Sequence, residues 1–131
     1  MTALAELIAR LEVATAGSRE LDIAVYEAIG WRRKQFSKTA PTWLCPPDDG
    51  KRIAIEPFNL LPCVTTSIDA ALTLVPGGYA WMVRKSQPWD DAHPYHSAYV
   101  QLTESDDNYS ISATPALALC IAALKAREAQ P

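Results

Sequence analysis

The sequence predicts an α+β domain in which helical segments close over a single, mostly antiparallel sheet. Apolar residues recur at helical spacing in four segments, and the stretches between them alternate and carry sheet-forming side chains. The predicted strands also follow one another across short Asp-, Asn- and Gly-containing turns rather than across helices, which is the pattern of hairpins, not of parallel crossovers. At 131 residues the chain is long enough for one domain with its own core and too short for two. We therefore read residues 1–131 as one domain, with a helix over 1–16 at its periphery.

Thr2 is placed to cap that first helix, in which Leu4, Leu7, Ile8 and Leu11 fall on one face. Ala16-Gly17 ends it, and Ser18 opens a second helix with Glu20 and Asp22 near the positive end of its dipole. Leu21, Val25, Ala28 and Ile29 form the buried side of this helix. Gly30 stands where a left-handed C-terminal residue is wanted, and Trp31 can fold back on Tyr26 or Val25. Beyond it, the basic run Arg32-Arg33-Lys34 leads into a hairpin formed by Trp43-Leu44-Cys45 and Arg52-Ile53-Ala54-Ile55, with Asp49-Gly50 as its turn. Residues 56–66, with two prolines and no period, read as an ordered connection crossing an end of the sheet.

Ser67 caps a third helix, with Asp69 in its first turn and Ile68, Ala71, Leu72 and Val75 along one side, until Pro76 stops it. Strands follow over 79–83, 95–102 and 109–112, the last after a turn at Asp106-Asp107-Asn108. Thr114-Pro115 opens the final helix, whose core face is Leu117, Cys120, Ile121 and Leu124 and whose negative end suits Lys125 and Arg127. The expected order is ααββαβββα.

Bulk properties narrow the function. The net charge is -3, which lacks the positive field of a non-specific phosphate binder. Cys45, Cys63 and Cys120 are odd in number and scattered, without metal-site spacing, and suit a reducing cytoplasm. Glu6, Arg10 and Glu12 interrupt the N-terminal apolar stretch, so it reads as a helix rather than an export signal. No uncharged run approaches membrane-spanning length, and no cofactor motif is present. The pair Gly77-Gly78 follows a helix, whereas phosphate cradles precede one, so it reads as a joint between helix and strand.

Three groups of residues stand out. The segment WDDAHPYH holds both histidines of the chain, and Asp90, Asp91, His93 and His96 are the candidate metal ligands of a hydrolytic enzyme. Their spacing on a proline-interrupted loop is not the helical arrangement that sets two rings on one face, and a solvated loop is the simpler reading. The run WRRKQFSK combines Arg32, Arg33 and Lys34 with Trp31 and Phe36, as a nucleic-acid contact would. Charged protection of an edge strand explains the same residues. Of the four tryptophans, Trp81 is expected in the core, while Trp89, beside Asp90, is expected to be exposed and to anchor a partner. No serine or cysteine lies in a nucleophile motif, and a homodimer is a reasonable expectation for a small domain with aromatic edges.

The stretches TSIDAALTLVPGGYAWMV and SATPALALCIAALKARE, with ELDIAVYEAIGW before them, resemble the small phage and prophage proteins of the phage ABA sandwich domain family. The resemblance runs from Leu21 to Arg127 and is most specific over Thr114 to Arg127. It implies an α/β/α sandwich with helices on both faces of a central sheet and a phage or prophage origin, and it brings no catalytic residues. The sequence thus points to a non-enzymatic accessory protein that binds another protein, a host defence or regulatory component, with Trp89, Asp90, Arg32, Arg33 and Lys34 as candidate contacts. A metal-dependent hydrolase and a nucleic-acid-binding module are the rivals.

Overall fold

The computed structural model describes residues 3–35, 37–46, 54–55, 61–85, 96–103 and 108–129. Four helices and six strands follow in the order α1 (Ala3–Val13), α2 (Arg19–Ala28), β1 (Arg32–Gln35), β2 (Thr42–Cys45), β3 (Ala54–Ile55), α3 (Ile68–Leu72), β4 (Ala80–Lys85), β5 (His96–Gln101), β6 (Tyr109–Ser112) and α4 (Pro115–Ala129). This is a mixed α+β fold with antiparallel strands and helices packed against a sheet. The Thr2 cap, Phe36, the Asp49-Gly50 turn, the first part of the 56–66 connection and Asp106-Asp107 lie outside the described residues.

The strands divide into two sheets of three, ordered β1-β2-β3 and β4-β5-β6, rather than forming the single sheet expected. The basic run is itself a strand: Arg32 stands opposite Cys45 and Lys34 opposite Trp43, which adds β1 to the expected hairpin of β2 and β3. Hydrophobic alternation cannot reveal this strand, because all four of its side chains are exposed.

Helix α4 is the centre of the molecule, not a cover for it. It packs on β5 and β6, less on β4, and its other sides meet α1 and α3. Every residue from Ala116 to Leu124 is buried, and so is Ala126. An α-helix that is apolar all round belongs in an interior, and the expected single stripe was too narrow a reading. Small residues make the close approach to the sheet: Ala98, Ser110 and Ser112 face the helix, and the Ser110 hydroxyl donates to the Ala118 carbonyl. Strand β6 is therefore inverted relative to the usual pattern, with its serines inward and Ile111 outward. The second face of β4-β6 carries exposed Met82 and Ile111, and among the described residues no helix covers it.

The helix ends follow the sequence closely. Ser18, Ser67 and Thr114 accept hydrogen bonds from the backbone N–H groups of Leu21, Ala70 and Leu117. At the end of α2, Gly30 has φ 115°. Its N–H donates to Glu27, and that of Trp31 donates to Tyr26, the paired bonds of a left-handed helix stop. Trp31 does fold back on Tyr26, with ring centroids 4.8 Å apart.

Helix α3 ends earlier than expected. Thr73, Leu74 and Val75 donate to residues three positions back, a tightening that precedes Pro76 and turns Leu74 inward while Ile68 is exposed. The described part of the 56–66 connection is held against α2. Leu61, Val64 and Thr65 are buried, and Arg19 and Asp22 of α2 bond to the backbone of this segment.

Candidate functional site

On the outward side of β4-β5-β6, exposed Met82 and Ile111 flank the half-buried Tyr99 and Tyr109. Cross-strand register sets Met82 opposite Tyr99 and Tyr99 opposite Tyr109, giving a row of three across the sheet. Tyr99 and Tyr109 are in ring contact, centroids 4.8 Å apart and planes tilted by 40°. The next row is Arg84, Ser97 and Ile111. Met82 is 42% and Ile111 48% exposed, values that matter because the free face of an antiparallel sheet is ordinarily polar. Beside this row Ala80, Trp81, Met82, Tyr99 and Gln101 line a hollow of about 310 Å³. Apolar bodies with phenol hydroxyls at their tips are the composition of protein contact surfaces.

Trp81 is not in the core. It shares the α4 side of the sheet with Val100, its partner across the strands, yet it is 49% exposed. The reason is position: β4 is the outer strand of the sheet, and α4 lies mainly over the other two.

The two arginines of the basic strand are engaged within the chain. Arg33 pairs with Glu27 at 3.2 Å, and Arg32 donates to the carbonyls of Glu27 and Trp31, so both are tied to the end of α2. Lys34 is exposed on the same strand. Trp31, the expected stacking ring, is engaged with Tyr26. Charges along an exposed edge strand discourage pairing with other chains.

Trp89, Asp90, Asp91 and His93 lie outside the described residues. His96 is half-buried in β5, opposite Lys85 and Ser112. Among the described residues no three His, Cys, Asp or Glu side chains converge on a metal-sized site. Cys45 and Cys120 are buried, and burial pushes the Cys120 thiol up to about 12, which suppresses the thiolate that nucleophilic chemistry needs. Cys63 is half-buried, and its sulfur accepts from the Arg19 guanidinium at 3.2 Å. Gly77-Gly78 is a turn: Tyr79 N–H donates to the Pro76 carbonyl, and Gly78 has φ 85°, the value that the second central position of such a turn requires.

The outward row was missed by sequence reasoning, although β4, β5 and β6 were placed. Ser-Ile-Ser in β6 was a readable signal, since burial of the serines forces the isoleucine outward, but the signal acquires meaning only once α4 is known to pack against them. No helix among the described residues is long and apolar enough to cross a membrane. The chain matches no model of a known protein family, no curated protein and no solved structure.

Proposed function

We propose that this chain is a small accessory protein that works by binding a protein partner through the outward face of β4-β5-β6. The observation that carries the reading is the row Met82-Tyr99-Tyr109 with Ile111 beside it, partly exposed apolar side chains on a sheet face. Desolvating such rings and thioethers supplies binding energy, and the few rotatable bonds of the tyrosines limit the entropy lost on contact. The resemblance of residues 66–83 and 112–128 to the phage ABA sandwich domain supports a phage or prophage origin. On that basis the partner is a host defence or regulatory component met in the bacterial cytoplasm.

The test compares three immobilised proteins in host lysate: the wild type, an Ile111→Asp/Tyr109→Ala variant, and an Arg32→Ala/Lys34→Ala variant. Ile111 is chosen because its side chain is already half in water, so the charge does not enter the core. A protein retained by the wild type and the basic-strand variant, but bound at least about 10-fold more weakly by the outward-face variant, is the expected result. Equal retention by all three sinks the reading. Nucleic acid lost selectively by the basic-strand variant, with steep salt dependence, transfers the function to β1.

A further inference from the structure

We propose that β4 pairs antiparallel with β4 of a second copy about a two-fold axis at Val83, joining two sheets of three into one of six. The two edges of the β4-β5-β6 sheet differ. That of β6 is flanked by α1, whereas β4 has no strand or helix on its free side among the described residues. Of its six side chains only Val83 is better than exposed. Unpaired N–H and C=O groups on such an edge are a template for another strand. The contrast with β1 is informative: there cations occupy three of four positions, while in β4 Arg84 and Lys85 are confined to one end.

The order Ala80-Trp81-Met82-Val83-Arg84-Lys85 is complementary to its own reverse. A two-fold perpendicular to the sheet sets Val83 opposite Val83, Met82 opposite the partner's Arg84, and Trp81 opposite the partner's Lys85. Opposed residues in antiparallel strands share a face, so each ammonium reaches an indole on the α4 side and each guanidinium stem covers a thioether on the outward side. The same axis keeps both α4 helices on one side of the joined sheet. The strip of β4 that α4 leaves open, marked by Trp81 at 49% exposure, then lies at the seam, between the α4 helices of the two copies and beside the partner's Lys85 stem. Closed two-fold pairs are also the commonest solution for identical chains.

The proposal shares only Met82 with the outward-face row and is tested without any other protein. Purified wild type is weighed in solution by light scattering and sedimentation over a range of concentrations, beside Met82→Lys, Arg84→Glu and the Met82→Lys/Arg84→Glu double variant, each checked for an unchanged circular dichroism spectrum. The wild type should be dimeric. Met82→Lys, which sets lysine against the partner's arginine, should raise the dissociation constant at least 10-fold, and the double variant, which sets lysine against glutamate, should recover most of that loss. Mild oxidation of a Val83→Cys variant should give a covalent dimer faster than Arg84→Cys does. A monomeric wild type at every concentration overturns the proposal. So does a dimer indifferent to Met82→Lys, or a β4 that takes up an extended peptide of another protein while the chain itself stays monomeric.

Discussion

Asp22 is only 1% exposed, and a carboxylate so buried must be answered by donors. One oxygen accepts from Thr65 N–H at 2.9 Å and from the Thr65 hydroxyl at 2.5 Å; the other faces the Arg19 guanidinium at 3.5 Å. Arg19 continues to the Leu61 carbonyl at 2.5 Å, and Ser18 N–H donates to the Thr65 oxygen. Gly17 completes the joint, since a Cβ there would lie 2.0 Å from the Thr65 carbonyl oxygen. This group of residues holds the start of α2 against a segment more than forty positions later. Asp22→Ala leaves the buried Thr65 N–H unanswered, turns the Thr65 hydroxyl to the Ser18 carbonyl alone and removes the Asp22 charge facing Arg19, and should cost about 3 kcal/mol in urea unfolding. A loss below about 1 kcal/mol would mean that water reaches these groups. Nothing in the sequence announced the pairing. Asp22 was legible as a favourable charge in the first turn of α2, but its partner comes from a fold contact that no local period encodes.

Among the elements, those governed by local chemistry were legible and those governed by packing were not. The serine caps, the Gly30-Trp31 stop and the Gly78 turn each depend on a few adjacent residues, and the structure has all of them. The orientation of α4 could not be read, because alanines fill the gaps between its leucines and alanine marks neither a buried nor an exposed side. Its closeness to the sheet depends on those alanines. Ala118, wholly buried, offers its carbonyl to Ser110. Ala118→Leu would wedge the helix away from β5 and β6 and should lower stability by about 1–3 kcal/mol with helical content retained. Val13, 80% exposed at the end of α1, provides the contrast: Val13→Ala should change the unfolding free energy by less than about 0.5 kcal/mol. Strand pairing was half legible. Each of β4, β5 and β6 had its alternation, yet the register that aligns Met82, Tyr99 and Tyr109 is set by contacts between strands, and so was the division into two sheets.

For the whole molecule, the buried thiol of Cys120 ties stability to alkaline pH. In the unfolded chain it ionises near its ordinary value of 9.0, while burial first and the Asp22 charge second raise it to about 12 in the native state. The native state thus holds a proton that the unfolded chain has released. Its contribution is complete below pH 9 and is lost as pH rises toward 12. Tyr26 is raised as well, by burial first and then by Asp22, and acts in the same direction. The urea midpoint should therefore fall across this interval, and Cys120→Ala should flatten the fall; an identical slope in the variant would assign the effect elsewhere. The candidate surface was the least legible feature, since it is a property of the assembled sheet rather than of any segment. The order of synthesis adds a last consequence of the interior position of α4. The ribosome delivers α1, α3 and the three strands of the second sheet before residues 115–129, so these elements must wait, with their apolar sides wet, for the helix that they surround. Until it emerges, a nascent chain has walls but nothing to build them around, and is in most need of a chaperone during that interval.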